Sequence, residues 1–436
     1  MQDDSLATRQ LHAGWRAALA TLVLLGMLAS PLSRAQEFCP EPTPPAVPRP
    51  DAPLAMPEDL RIALFNTVWQ AVQDIYLFED FGGADWEAVS RDFAPAVLET
   101  ENAWEFYDLL NRMVGTLDDP LTTFVNPLLM EAIAEQEATY GGIGALLDRA
   151  AVETPGEVLR VVSVFPGSPA EAAGLRARDR ILEVDGDDCP RTETIRGPEG
   201  TTVLLLVASP GMEAREVSIE RATLEARILP EARRVGDDAQ YGYLRLVSLA
   251  GEETLRAIEQ AMEAFASQAA LEGLILDVRG TRGGAPGVMA ALLSYFLEGE
   301  IGAFYTRGGE GPFELPPAPL KVGFDEVPVV VFVDAASVAE AEQLAALLQA
   351  NGRATVVGQQ TAGVTHGVRT LDFPGGSVLQ LTVVGLRLPD GSVLERVGVT
   401  PDVVLEGDWA EFAEPEDPYF LAAFEQFEAG AASGSD

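Results

Sequence analysis

Ser337 is the one serine in VVVFVDAASVAEAEQLAALLQANGRATVVGQQTAG, residues 329–363, a stretch that reads as strand, sharp turn, helix and strand. At such a turn a hydroxyl can attack a carbonyl carbon, provided that a general base lies beside it. Bases are scarce in this chain. Lys321 is the only lysine, and His12 and His366 are the only histidines. Lys321 precedes the strand VPVVVFVD, whose eight residues span about 26 Å, so it sits at the far end from the turn. His366 follows the second strand and is better placed, which makes Ser337 with His366 the chemically sensible pair for a serine-type endopeptidase. A second reading competes: Ser337-Val338-Ala339-Glu340 spells a capping box, in which the hydroxyl accepts from a first-turn amide while Glu340 reaches back. The cap needs no partner elsewhere in the chain and is preferred. In DVRGTRGG, Gly283 and Gly284 stand between a strand end and a helix, where backbone N–H groups can hold a developing oxyanion or simply make a tight turn.

Other chemistries find little support. The two cysteines, Cys39 and Cys189, lie far apart, no carboxylate cluster has ligand spacing, and no phosphate-cradling glycine loop is followed by lysine, so neither metal nor cofactor is expected. The net charge of −39 sets the chain against nucleic acid and would attract a cationic polypeptide. With 436 residues, 47% of them hydrophobic, two or three globular domains are expected.

The elements that must position these residues are legible in order. Residues 17–28 form a short apolar run behind arginines, followed by Ser33-Arg34-Ala35, the pattern of a secretory signal peptide cleaved after Ala35, with an uncleaved anchor as the alternative. Export would permit a Cys39–Cys189 disulfide, although two free thiols fit the sequence equally well. A proline-rich spacer follows, then amphipathic helices with apolar stripes through Leu60, Leu64, Val68, Val72 and Ile75 and through Trp104, Tyr107, Leu110 and Val114. From Tyr140 to about Arg221 the texture is short strands punctuated by glycine. Beyond Tyr243, apolar strands alternate with helices, which argues for a largely parallel sheet with helices against it. The stretch SVLQLTVVGLRLPDGSVLERVGVTPDVVLE, with its Pro-Asp-Gly turn, reads as a β-hairpin extension.

Two families are resembled. YGGIGALL, VVSVFPGSPAEAAGL, DRILEVDG and TTVLLLV resemble a PDZ domain. GYLRLVSL, LEGLILDVRGTRGG, VPVVVFVDAASVAEAEQ, NGRATVVGQQTAG and VGVTPDVVLE resemble the core of the C-terminal processing, or tail-specific, serine peptidases. The PDZ likeness implies that Tyr140, Gly141, Gly142, Ile143 and Gly144 form a turn whose amides receive a peptide's terminal carboxylate beside a strand edge.

The peptidase likeness assigns reactive slots, and here the chain departs from the pattern. Active members read Ser-Ala-Ser-Ala-Ser-Glu after the strand; SVAEAE aligns without a gap because Glu342 lies ten residues before Gly352, which places Ala339 at the nucleophile slot. The lysine base of one branch corresponds to Val364, and the histidine of another, from Asp-Pro-His-Thr, corresponds to Leu121 in LDDPLTTF. The carboxylate partner is matched by Glu395 in LERVGVTPD. A methyl group cannot attack a carbonyl.

The expected chain is a multidomain α+β and α/β protein: signal peptide over 1–35, proline-rich linker over 36–56, N-terminal helical region over 57–136, PDZ domain over 137–228, peptidase-like core with hairpin extension over 229–412, and acidic tail over 413–436. The expected function is an exported, non-catalytic scaffold or adaptor for polypeptide C-termini or unfolded segments, with a protein of the cell envelope as a further partner. The alternative is an active endopeptidase using Ser337, His366 and Glu395 with oxyanion amides at Gly283 and Gly284.

Overall fold

The computed structural model describes Cys39 and residues 56–127, 141–147, 158–224, 228–316, 323–324 and 326–433. The expected signal peptide, most of the expected linker, His12, Tyr140 and Lys321 lie outside these residues.

A six-stranded sheet forms the centre. Its order is Val403–Val404, Ala354–Gly358, Val329–Val333, Gly273–Asp277, Tyr241–Arg245 and Glu231–Val235, and every pairing but the last is parallel. The inner strands are mostly apolar because both faces are covered, with Arg245 and Asp277 at the ends of two of them. Val329, Val331 and Val333 point into a core completed by the helices Glu252–Ser267, Pro286–Leu293 and Glu340–Ala350, whereas Val330 and Phe332 face Tyr419, Phe420 and Phe427 of the helix Pro418–Ser433. The last of these helices lies within the stretch expected as an acidic tail: Tyr419, Phe420 and Phe427 are buried on one side, and Glu425 and Glu428 are exposed on the other.

The hairpin extension also needs correction. The Pro-Asp-Gly turn is present, with Leu388 N–H donating to the Ser392 carbonyl at 2.9 Å, but the second arm contributes only a bridge from Val393 to Arg387. The long strand Val378–Arg387 pairs instead with Gly367–Asp372, Gly299–Thr306 and Thr123–Val125 in a separate five-stranded sheet that also holds Gly309–Leu315. Leu379 and Leu381 on its face close the core of the N-terminal helices Glu58–Ile75, Trp86–Glu99 and Ala103–Gly115. In the first helix Leu64, Val68 and Val72 are buried as expected and Ile75 packs against the same core, while Leu60 is 37% exposed and Phe65 joins the buried face.

The glycine-punctuated segment is a five-stranded antiparallel sheet built from Ala145–Leu147, Leu159–Val164, Arg180–Val184, Thr202–Ala208 and Arg215–Glu220. Ser168 caps its short helix Pro169–Ala172 by accepting from Glu171 N–H at 3.2 Å. Cys39 is joined to Cys189 by a disulfide, which settles the question the sequence left open.

Candidate functional site

The helix Glu340–Ala350 starts at Ala339, whose backbone has φ +56° and ψ −121°. That conformation is strained for any residue with a Cβ and costs about 1–3 kcal/mol. It persists because neighbours hold the turn from both sides. Ala339 N–H donates to the Val364 carbonyl at 2.8 Å, and Val338 N–H donates to the Thr281 carbonyl at 3.0 Å. Ala339 therefore sits at a sharp, over-determined elbow and carries only a methyl group.

Ser337 lies beneath the elbow and is 0% exposed. Its hydroxyl donates to the Val278 carbonyl at 2.8 Å and accepts from Asp334 N–H at 3.0 Å, with the Asp334 carboxylate 3.1 Å away. The expected capping box is not formed: no side chain caps the Glu340–Ala350 helix, because the Ser337 oxygen is spent on the strand-to-turn junction. Its pairing with His366 is not formed either, since the ring nitrogens of His366 have other partners.

Glu342, fully buried, organises the facing loop. Its carboxylate accepts from Thr361 Oγ1, from Gly363 N–H at 2.6 Å and from Val364 N–H at 2.9 Å. Gly363, at φ +75°, lies so close to the next loop that a Cβ there would sit 2.6 Å from the amide nitrogen of Val397. Gln343 Nε2 adds a bond to the Thr365 carbonyl at 2.6 Å. The loop bearing the Val364 slot is thus fixed onto the helix that follows Ala339.

His366 and Glu395 are brought together. Glu395 Oε2 accepts from Thr365 N–H at 2.8 Å and His366 N–H at 3.1 Å, and lies 3.4 Å from His366 Nδ1. The other ring nitrogen, Nε2, is 3.1 Å from Tyr305 Oη, and the Phe78 ring packs edge-on at 5.3 Å. Burial lowers the His366 pKa; Glu395 and Asp119 pull it the other way, and Arg396 reinforces the fall. Leu121, at the histidine slot, is half-buried on the turn that Asp119 stabilises by accepting from Leu121 N–H at 3.0 Å.

At the expected oxyanion position, Gly283 has φ +70° and its N–H is turned to the Val338 carbonyl at 3.3 Å, while Gly284 backs onto Leu249 so closely that a Cβ would meet the Leu249 Cβ at 2.5 Å. Gly284 serves close approach to Leu249, whereas Gly283 serves the positive φ of the turn. On the PDZ side, Gly141 and Gly142 pair with Thr223 and Ala222. The carbonyls of Ile143 and Gly144 accept from Ala170 N–H and Phe165 N–H at 2.8 and 2.9 Å, and the amides of Ile143 and Gly144 meet no acceptor among the described residues.

Sequence reasoning missed Tyr305, Asp334 and the anchoring role of Glu342. Only Glu342 left a trace, as an acid two residues after Glu340 on a helix that is otherwise largely apolar.

The fold and this site define a PDZ-bearing member of a peptidase architecture, and comparison with known proteins gives it a family. Residues 240–405 match the family model of peptidase family S41, residues 57–115 that of the Tricorn protease C1 domain, and residues 160–209 that of the PDZ domain. A carboxyl-terminal-processing protease of a Picosynechococcus species is 28% identical over 408 residues, covering 91% of this chain and 90% of its own. One from a Synechocystis species is 29% identical over 395 residues, covering 87% and 89%. The solved structure of a photosystem II D1 C-terminal processing protease is similar at a TM-score of 0.57 and 25% identity, covering 79% of this chain and 93% of that one. The chain therefore carries a peptidase family S41 domain beside Tricorn protease C1 and PDZ domains, and its homologues are carboxyl-terminal-processing proteases.

Proposed function

We propose that this protein is a non-catalytic member of its family, an exported scaffold or adaptor that binds polypeptide C-termini. The observation that carries the reading is the Ala339 elbow, whose strained backbone is kept by hydrogen bonds from both sides while its side chain is a methyl group. The supporting observations are that Ser337 is sealed beneath it and that His366 is enclosed with Tyr305 and Glu395; the family resemblance adds apolar Val364 and Leu121 at the positions where it implies a base. A nucleophile without solvent access and without a base in contact performs no acyl transfer. The Ile143 and Gly144 amides offer donors for a terminal carboxylate, which is how a PDZ turn captures a chain end.

Two measurements test this on the purified protein. A serine-directed fluorophosphonate should leave it unlabelled; labelling that vanishes in Ser337→Ala would overturn the non-catalytic reading. Calorimetry with a basic peptide ending in a free carboxylate should show binding that weakens by about tenfold, or 1.4 kcal/mol, when the peptide is amidated. Equal affinity for the two forms would remove the C-terminus as the recognised group.

A further inference from the structure

A cleft of about 730 Å³ opens between the PDZ domain and the outer strands of the six-stranded sheet. Arg176, Arg178 and Arg215 line it from the PDZ side, and Arg233 and Arg245 from the sheet side. Five arginines converge here in a chain whose net charge is −39. Three acids stand among them, Asp179, Glu231 and Glu414, so the wall remains basic.

Most of these guanidinium groups are spoken for. Arg178 donates to Asp417 at 2.8 Å, Arg215 to the Gly174 carbonyl at 2.9 Å, and Arg233 to Glu231 at 2.9 Å and to Glu414. Arg245 differs. It is 4% exposed, and its Nε and Nη2 are buried with no hydrogen-bond acceptor among the described residues. Trp409 lies with its ring centre 5.6 Å from the guanidinium carbon, and the nearby Asp277 carboxylate has its oxygens taken by Arg279 and by Tyr243 Oη. A buried cation with unmade hydrogen bonds is costly unless an acceptor reaches it. The guanidinium fork fits the paired oxygens of a carboxylate or phosphate.

We infer that this cleft binds a compact polyanion bearing carboxylate or phosphate groups, with Arg245 as its anchor on the sheet, Arg233 beside it on the neighbouring strand, and Arg215 meeting its other charges across the gap. Such a ligand would clamp the PDZ domain onto the sheet. None of these residues belongs to the Gly141–Gly144 turn, the Ala339 elbow or the Val364 slot, so the inference stands apart from the polypeptide-binding reading.

The test is titration calorimetry of the purified full chain with citrate and, separately, with pyrophosphate at low salt. Binding by at least one probe is expected, with a Kd of about 1 mM or tighter, and the probe that binds identifies the ligand as carboxylate or phosphate. Arg245→Met should weaken that binding by about tenfold or more, with Arg245→Lys intermediate. Arg233→Gln, a change at a partly exposed position, supplies the same answer with a loss of about threefold if Arg245→Met does not fold. Neither probe binding at about 10 mM, or undiminished binding by the arginine variant that folds, overturns the inference.

Discussion

At position 339 the chain maintains a left-handed backbone for a side chain that makes no use of it. Glycine adopts φ +56° without steric penalty, so Ala339→Gly should stabilise the protein by about 1 kcal/mol, the strain relieved less the extra freedom of the unfolded glycine. Urea unfolding measures this, and a loss of stability would mean that the elbow is not strained. His366 yields a second expectation. Its folded-state pKa lies below the ordinary value of 6.5, so as pH falls through that value the unfolded chain takes up a proton that the folded chain does not. Stability is therefore fully present above about pH 6.5 and declines below it, by at most about 1.4 kcal/mol per pH unit from this group. The decline between about pH 6.5 and 5.5 should be shallower in His366→Gln, and identical slopes would show that the ring titrates as it does in water. The methyl and isopropyl groups at Ala339 and Val364 are readable from residue identity and spacing. The burial of Ser337 is not, because its acceptor, the Val278 carbonyl, lies 59 residues away.

Among the elements, the C-terminal helix docks through contacts that its sequence does not reveal. Asp417, at its start, is fully buried and accepts from Arg178 at 2.8 Å and Arg279 at 3.0 Å, while Arg279 also grips Asp277 at 2.6 Å. Burial alone would raise the Asp277 carboxyl; the Arg279 guanidinium, with Arg245 nearby, overrides it and holds the pKa at about 2. Removing one partner of such a network leaves a buried charge uncompensated, so Asp417→Asn should cost about 3–5 kcal/mol. A change in unfolding free energy below about 1 kcal/mol would show that the helix docks through its aromatic face alone. Sequence periodicity did identify the alternating strands and helices of the central sheet, since each inner strand is an apolar run bounded by glycine or charge. It could not assign strand partners. Val378–Arg387 pairs with Gly299–Thr306, more than 70 residues upstream, and no local pattern encodes that register.

Across the whole molecule, the Cys39–Cys189 bridge closes a loop of 150 residues and ties the chain ahead of the N-terminal helices to the PDZ domain. Cross-linking limits the unfolded ensemble, so Cys189→Ser should lower stability by about 2–4 kcal/mol, and reductant should lower the Tm of the parent protein but not of the variant. A parent protein whose melting is indifferent to reductant would show that the bridge does not restrain the folded state. Domain order, the charge excess and the hydrocarbon side chains at Ala339, Val364 and Leu121 were determined by the sequence itself, because each depends on residue type and short-range spacing. Only the tertiary structure decided that Ser337 is sealed, that His366 joins Tyr305 and Glu395, and that five scattered arginines face one cleft. Those outcomes depend on which surfaces pack together, and packing joins residues whose separation along the chain carries no periodic signal.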